Sequence, residues 1–391
     1  MQYRVPNYYK EFNCIADQCE ATCCVGWQIT VDRKALARYG REKGGFGKRL
    51  RHSINWRTGA FRQSKGKRCM FLNEHNLCDI YATLGEEALC KTCKRYPRHV
   101  EQFENVRELT LSLSCPRVAE ILLTRDQSVR FRTYKKESVE FYEEFDSLLY
   151  EKLCDARETM RDILQNRDMP IELRVKQTLC LSHEIQVCIW KKKIADSDKV
   201  LKKYSGGQGT KNLAKSSLSM DEDKDIHKMY RNYQITRHLF SGLHNLEQIQ
   251  DTWDDNLRET EQILYGKGFQ NYDRLHEKFA RWREKYMPRW EIQCEQLVIY
   301  FMDTYFCGAV YDGMAYAKMQ MAVGSVWLIY EMMLARWAKN GGILGTEDVI
   351  RTVYCYSREI EHSDRNIELL EKLTRVKVPV CRCKREESMI K

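Results

Sequence analysis

The run CIADQCEATCC, Cys14 to Cys24, sets how the first third of this chain is read. It packs four thiols into the spacing C-x4-C-x3-C-C. Outward from it come Cys69 and Cys78 in a C-x8-C pair, Cys90 and Cys93 in a C-x2-C pair, and finally Cys115. Closely spaced thiols contributed by separated segments are how metal centres are commonly assembled, because each group chelates locally and the intervening loop closes the cage. Pro97 and Pro116 stop regular structure beside two of these groups. Thiolate softness suits both an iron-sulfur cluster and zinc, and the nine donors leave room for one cluster or for two zincs. A subset of three or four per cluster is expected, drawn from Cys14, Cys19, Cys23, Cys24, Cys69, Cys78, Cys90, Cys93 and Cys115. His75 and His99 stand among them as substitute ligands.

The chain has 391 residues and seventeen cysteines, a heavy load that in a reducing compartment points to metal binding or redox chemistry, not to disulfides. Cys154, Cys180, Cys188, Cys294, Cys307 and Cys355 lie singly among helical patterns and read as buried small hydrophobes. The opening MQYRVPNYYKEFN has no apolar leader segment, and the most apolar run, Met319 to Trp337, is broken by Gln320 and Glu331. A cytoplasmic protein without a membrane span is expected. The net charge is +10, but basic and acidic residues alternate, as in RWREKYMPRWE, which describes a solvated surface and gives no nucleic-acid signature.

The fold class expected is mainly α. Residues 1–125 form a cysteine-rich cluster domain with one or two short strands, and residues 126–391 form a multi-helix body. In ELTLSLSC, Leu109, Leu111 and Leu113 alternate with polar residues as a short strand that delivers Cys115. From Val118 onward apolar residues recur at spacings of three and four, as at Phe141, Phe145, Leu148, Leu149 and Leu153. Helices are expected near 117–125, 134–166, 170–204, 225–244, 246–265, 271–287, 289–310, 312–340 and 345–372. The stretch YSGGQGTKNLAKSSLSMDEDKD, near 204–225, lacks periodicity and reads as a flexible linker. GGFG at 44–47 and SGGQG at 205–209 lack the spacing and the preceding strand of a dinucleotide fingerprint, so a Rossmann fold is not expected.

The strings CEATCCVGWQI, RCMFLNEHNLCDIY and LCKTCKRYP resemble the signature of the CxxCC-type zinc- or iron-chelating cysteine-rich proteins. YRVPNYYKEFNC, Trp27 and QLVIYFMDTYFCGAVYDG extend the likeness to the longer flagellin lysine N-methylases of that family. Where the wider family carries Arg-Pro-x-x-Cys, this chain has EEALCKTC. The resemblance implies transfer of a methyl group from S-adenosylmethionine to lysine amines of flagellin, with an iron-sulfur cluster, of 4Fe-4S type, at or near the cofactor site. An iron left open by three cysteines would chelate the cofactor, whereas four thiolates would make the cluster a structural staple. A neutral amine needs no hydrogen abstraction to attack a methyl, which favours displacement over a radical route.

Tyr300, Asp303 and Tyr311 are candidate catalytic residues, with Tyr305, Asp312 and Tyr316 on the same segment. Trp27, Tyr81 and Tyr96 are candidate cofactor-binding residues, since aromatic faces attract a sulfonium. Two other classes stay open: an iron-sulfur electron-transfer protein, and a zinc-stapled protein-interaction module without methyltransferase activity.

Overall fold

The computed structural model describes residues 1–138, 145–205 and 222–375, with side chains described from residue 227 in the last stretch. β1 (Gln2–Pro6) opens the chain and leads into the thiol-rich loops. α1 (Arg33–Arg41) begins where the Asp32 carboxylate accepts the Ala35 N–H at 3.2 Å, satisfying one of the amides a helix start leaves unpaired. After α2 (Gly44–His52) come two antiparallel pairs, β2 (Ile54–Asn55) with β3 (Ala60–Phe61) and β4 (Gln63–Ser64) with β5 (Arg68–Cys69). The short helices α3 (Asp79–Leu84) and α4 (Lys91–Arg95) complete this lobe. Its own small core is built on Tyr39, Leu50, Phe61 and Phe71, with Cys69 and Cys90 among the buried members.

β6 (Arg98–Phe103) and β7 (Val106–Leu111) form a hairpin. α5 (Pro116–Thr124) follows with Pro116 in its first turn, where a missing N–H costs nothing. β8 (Phe131–Lys135) then closes a four-stranded sheet in the order β6-β7-β1-β8, with β1 parallel to β7 and antiparallel to β8. This sheet draws strands from both sides of residue 125.

The helical body comprises α6 (Ser147–Leu164), α7 (Ile171–Trp190), α8 (Ser197–Ser205), α9 (Glu222–Leu243), α10 (Trp253–Tyr265), α11 (Phe269–Tyr286), α12 (Trp290–Tyr305), α13 (Ala315–Lys339), α14 (Thr346–Glu361) and α15 (Asp364–Thr374). The molecule is therefore mainly α, as the periodicity predicts. α13 is buried nearly all round, the expected behaviour of a helix apolar on every face at the centre of a bundle. No helix among the described residues is long and apolar enough to cross a membrane.

An ion network staples the sheet to the body. Glu108 of β7 is 3 % exposed and accepts from Arg157 at 2.6 Å and from the Tyr150 hydroxyl at 3.0 Å. Asp303 of α12 is held by Arg161 at 2.6 Å, and Arg4 of β1 lies 3.5 Å from Glu108. Burial pushes both carboxyls up, but the guanidiniums beside them outweigh it and hold both below the ordinary range.

Four expected helices need correction. The helix expected over 170–204 is two, α7 and α8, parted after Trp190 where the Lys192 backbone turns to φ +54°. Of the helix expected over 134–166, residues 139–144 lie outside those described; Phe131–Lys135 is instead a strand paired with β1, and α6 starts at Ser147, where Asp146 accepts the Leu149 N–H at 2.9 Å. The helix expected from 246 begins at Trp253, since Glu359 captures the Ile249 and Gln250 amides at 2.8 and 3.0 Å and holds that stretch open. The helix expected over 345–372 is two helices, parted where Ser363 caps α15. Of the stretch 204–225 read as a linker, residues 206–221 lie outside those described, while Tyr204–Ser205 end α8 and residues 222–225 belong to α9.

Candidate active site and thiol cluster

The loop from Cys14 to Trp27 is held in place by backbone bonds. The Cys69 N–H donates to the Cys24 carbonyl at 2.8 Å, and the Gly26 N–H donates to Lys67 at 3.2 Å. Gly26 has φ +97°, and a Cβ there would meet the Ile249 carbonyl at 3.1 Å, so glycine lets this loop lie against the turn before α10. Three further thiols stand immediately before helices: Cys78 before α3, Cys90 before α4 and Cys115 before α5. Each receives first-turn amides, Ile80 and Tyr81 for Cys78, Thr92 and Cys93 for Cys90, Arg117 and Val118 for Cys115.

Cys23 sits at the centre of the group. It is an electrostatic neighbour of Cys19, Cys24, Cys69, Cys78, Cys93 and Cys115, and Cys14 joins through Cys19. The fold thus gathers thiols separated by about a hundred residues of sequence. Burial pushes Cys69 and Cys115 up to about 11. The Cys93 thiol donates to Cys90, lowering the latter and raising itself. Arg358 is the cation that acts on Cys19 and Cys23.

Buried thiols that repel one another's ionisation are inert as free acids, and a bound metal group, which deprotonates its thiol ligands, resolves that conflict. Four thiolates on one zinc would stand about 3.8 Å apart, given Zn–S bonds of about 2.3 Å. Among the described residues no three Cys, His, Asp or Glu side chains converge that closely. His75 is exposed and lies 3.7 Å from Glu74, and His99 lies elsewhere, on β6.

The helical body contributes a cavity of about 260 Å³ where β6, the Ser112 turn, α12, α13, α14 and α15 meet. Its wall is rich in carboxylates: Glu101, Glu361, Asp364 and Glu371. Lys318 is inside it, 2.7 Å from Asp312 and 3.0 Å from Glu371, and Arg375 also binds Glu371. His99 lies 3.3 Å from Glu101, whose hydrogen bond raises the imidazole above its ordinary value. Burial raises Glu361, although the Tyr300 hydroxyl donates to its Oε2 at 2.6 Å and Ser112 at 3.2 Å. Oε1 of Glu361 is buried with no hydrogen-bond partner, while the Ser357 and Tyr305 hydroxyls interact with the same carboxyl group.

A line of hydroxyls joins the two halves. Ser112 is 2.7 Å from Ser114, and Ser114 is 3.1 Å from the Tyr96 hydroxyl. Because Ser112 gives its proton to Glu361, Ser114 donates to Ser112 and Tyr96 donates to Ser114. Tyr96 belongs to an aromatic group with Trp27 and His362, at centroid separations of 6.1 Å to Trp27 and 6.1 Å to His362, with Trp27 and His362 5.2 Å apart. The Trp27 indole N–H donates to the Cys23 carbonyl at 2.9 Å, so this group touches the thiol loop on one side and α14 on the other. Burial lowers His362 to about 4, which keeps it neutral beside Arg358.

Of the residues singled out in the sequence, Tyr300, Tyr305 and His99 line the cavity, and Trp27 and Tyr96 stand together. Asp303 lies in the ion network of the sheet, Tyr311 is exposed and stacks on Phe103 at 5.9 Å, and Tyr81 is 54 % exposed on α3. Asp312 holds Lys318, and Tyr316 meets the His183 ring at 5.0 Å. Sequence reasoning missed Glu361, Glu371 and His362. The available signal was SREIEH, which sets two glutamates at the end of a helix whose inner face is otherwise Val349, Val353, Tyr356 and Ile360.

The family model described as the C-terminal domain of FliB lysine N-methylase matches residues 157–377, more than half of the chain and the part that builds most of the cavity. The flagellar biosynthetic protein FliU of Salmonella muenchen is 29% identical over 127 residues, covering 30% of this chain and 75% of that protein. The lysine-N-methylase of Salmonella typhimurium is 29% identical over 127 residues, covering 30% of this chain and 31% of that protein, and that of Salmonella choleraesuis matches to the same extent. The matched stretch thus spans under a third of the length of those two methylases. No solved structure matches.

Proposed function

The chain belongs to the FliB family of lysine N-methylases, protein-lysine N-methyltransferases by class, and from that premise we propose that it moves a methyl group from S-adenosylmethionine to lysine amines of flagellin in the cytoplasm. The observation that carries this reading is the carboxylate-walled cavity. At about 260 Å³ it is below the usual range of pockets for drug-sized ligands, roughly 300–1,000 Å³, and suits a lysine side chain better than a whole nucleoside cofactor. Lys318 already sits among its carboxylates, so the wall is one that receives an ammonium. The flagellar name of one relative supports flagellin as the protein substrate.

The thiols gathered around Cys23 suit a 4Fe-4S cluster, with three or four ligands drawn from that group. Such a cluster ties the loops together through metal–thiolate bonds and, with one iron open, offers a site for the amino and carboxylate groups of the methyl donor. Trp27 and Tyr96, grouped with His362 between the thiol loop and α14, are the aromatic side chains that would attract a sulfonium there. The side chains have three tasks: to hold the lysine ε-nitrogen, to accept its proton, and to exclude water. At pH 7 only about one lysine in a few thousand is neutral, so the proton must be taken within the site.

The test is to purify the protein without oxygen, quantify iron, sulfide and zinc, and follow labelled methyl transfer to flagellin with and without a strong reductant. Iron and sulfide in equal amounts, with transfer that needs no reductant, is the expected result. Zinc alone with no transfer would return the protein to the interaction-module class.

A further inference from the structure

We infer that Glu361 is the catalytic base: its unpartnered Oε1 receives the lysine ε-ammonium and takes its proton before the methyl moves. This rests on the methyltransferase reading above and names the residue that makes it possible.

The four carboxylates of the cavity are not equivalent. Glu371 is taken by Lys318 and Arg375, and Glu101 is taken by His99. Asp364 is exposed at the start of α15, where water solvates it. Glu361 combines a deep carboxylate, a wall position in the cavity and an oxygen without a donor. A buried acceptor left unpaired is unfavourable unless a ligand supplies the donor, and an ammonium supplies three.

The step balances with the lysine, the methyl donor and Glu361 alone. The proton leaves the ε-nitrogen for Glu361, and the freed lone pair attacks the sulfonium methyl carbon. The new N–C bond forms as the C–S bond breaks, its electron pair returning to sulfur. Burial favours this proton transfer, since it raises the carboxyl, lowers a lysine entering the same site, and so favours the neutral pair over the charged one. Tyr300 and Ser112 are positioning residues that fix Oε2 and leave Oε1 turned to the substrate.

The other titratable groups facing Glu361 are His99 and Glu101 from β6, Tyr300 and Tyr305 from α12, and Lys318 from α13. Asp364 and Glu371 face it from α15, and on its own helix Arg358 and His362 are near neighbours. His99 is therefore the group whose titration must be separated from that of Glu361.

The experiment compares wild type, Glu361→Gln, His99→Gln and Tyr300→Phe, each checked for an unchanged circular-dichroism melt. Two quantities are read: methyl transfer across pH 6 to 9, and binding of n-butylammonium by calorimetry without cofactor. Wild type should lose rate on the acid side as Glu361 becomes protonated. Glu361→Gln should be slower by about a hundredfold or more, lose that acid limb, and bind butylammonium at least tenfold more weakly. His99→Gln should keep the limb. Tyr300→Phe removes a donor to the carboxylate and should move the limb up by about one pH unit, a readout that holds even if Glu361→Gln fails to fold. A folded Glu361→Gln enzyme within threefold of wild type with the same acid limb would overturn the assignment. A wild type that makes no methyllysine would sink the methyltransferase reading instead. The butylammonium arm then still decides Glu361, with weakened binding in the variant supporting it and unchanged binding overturning it.

Discussion

Replacing Glu108 by glutamine should destabilise the protein by about 3–5 kcal/mol, because it strips a buried guanidinium of its main partner. Arg157 is 1 % exposed and donates to both oxygens of Glu108, and its nearest other carboxylate, Asp303, is 3.6 Å away and already bound to Arg161. The network holds three guanidiniums, Arg4, Arg157 and Arg161, against two carboxylates, and loss of Glu108 leaves three against one. Urea unfolding followed by tryptophan fluorescence, at matched metal content, should show the midpoint falling by about 1 M. The double replacement Glu108→Leu with Arg157→Met removes one charge of each sign and should recover most of the loss, since apolar groups of similar volume replace a buried pair at little cost. A single variant within 1 kcal/mol of wild type, or a double variant as unstable as the single one, would refute the reasoning.

Acid should act through the same carboxylates. Both are held below their ordinary values in the folded state, so their stabilisation is complete above about pH 4.5 and is lost as pH falls through the folded values, and stability measured from pH 6 to 3 should drop less steeply in Glu108→Gln. Cys23→Ser should cost most of the bound iron and sulfide, whereas Cys188→Ser, in the helical body, should leave both unchanged in the same assays. Gly26→Ala should weaken packing of the thiol loop on the turn before α10, because it adds a Cβ at φ +97° and 3.1 Å from a carbonyl; the expected sign is faster proteolysis near Trp27 at little cost to the melt of the helical body.

Periodicity carried the helical body because a helix that buries one face must repeat its apolar residues every three or four positions. It carried β7 as well, where Leu109 and Leu111 alternate with polar neighbours. It could not reveal β1 or β8. Gln2–Pro6 is a strand because it pairs with β7 on one side and with Phe131–Lys135 on the other, across more than a hundred residues, and neither strand has a clean alternation of its own. The same holds for helix ends set by distant capture, as when Glu359 takes the amides of Ile249 and Gln250. The thiol pool was legible because cysteine is rare and its spacing is chemical. The cavity was half legible: Tyr300 and Tyr305 stood out as polar aromatics in an apolar helix, while Glu361 looked like one more glutamate on a charged surface. Only the packing of α14 against α12 and the Ser112 turn makes that glutamate deep and leaves it short of a donor.

The most direct test of the account is mass spectrometry of flagellin incubated with the anaerobically purified protein and methyl-labelled S-adenosylmethionine. Label is expected on lysine ε-nitrogens, formed with wild type and largely absent with Glu361→Gln. Unlabelled flagellin from a folded, metal-loaded wild-type protein would contradict it.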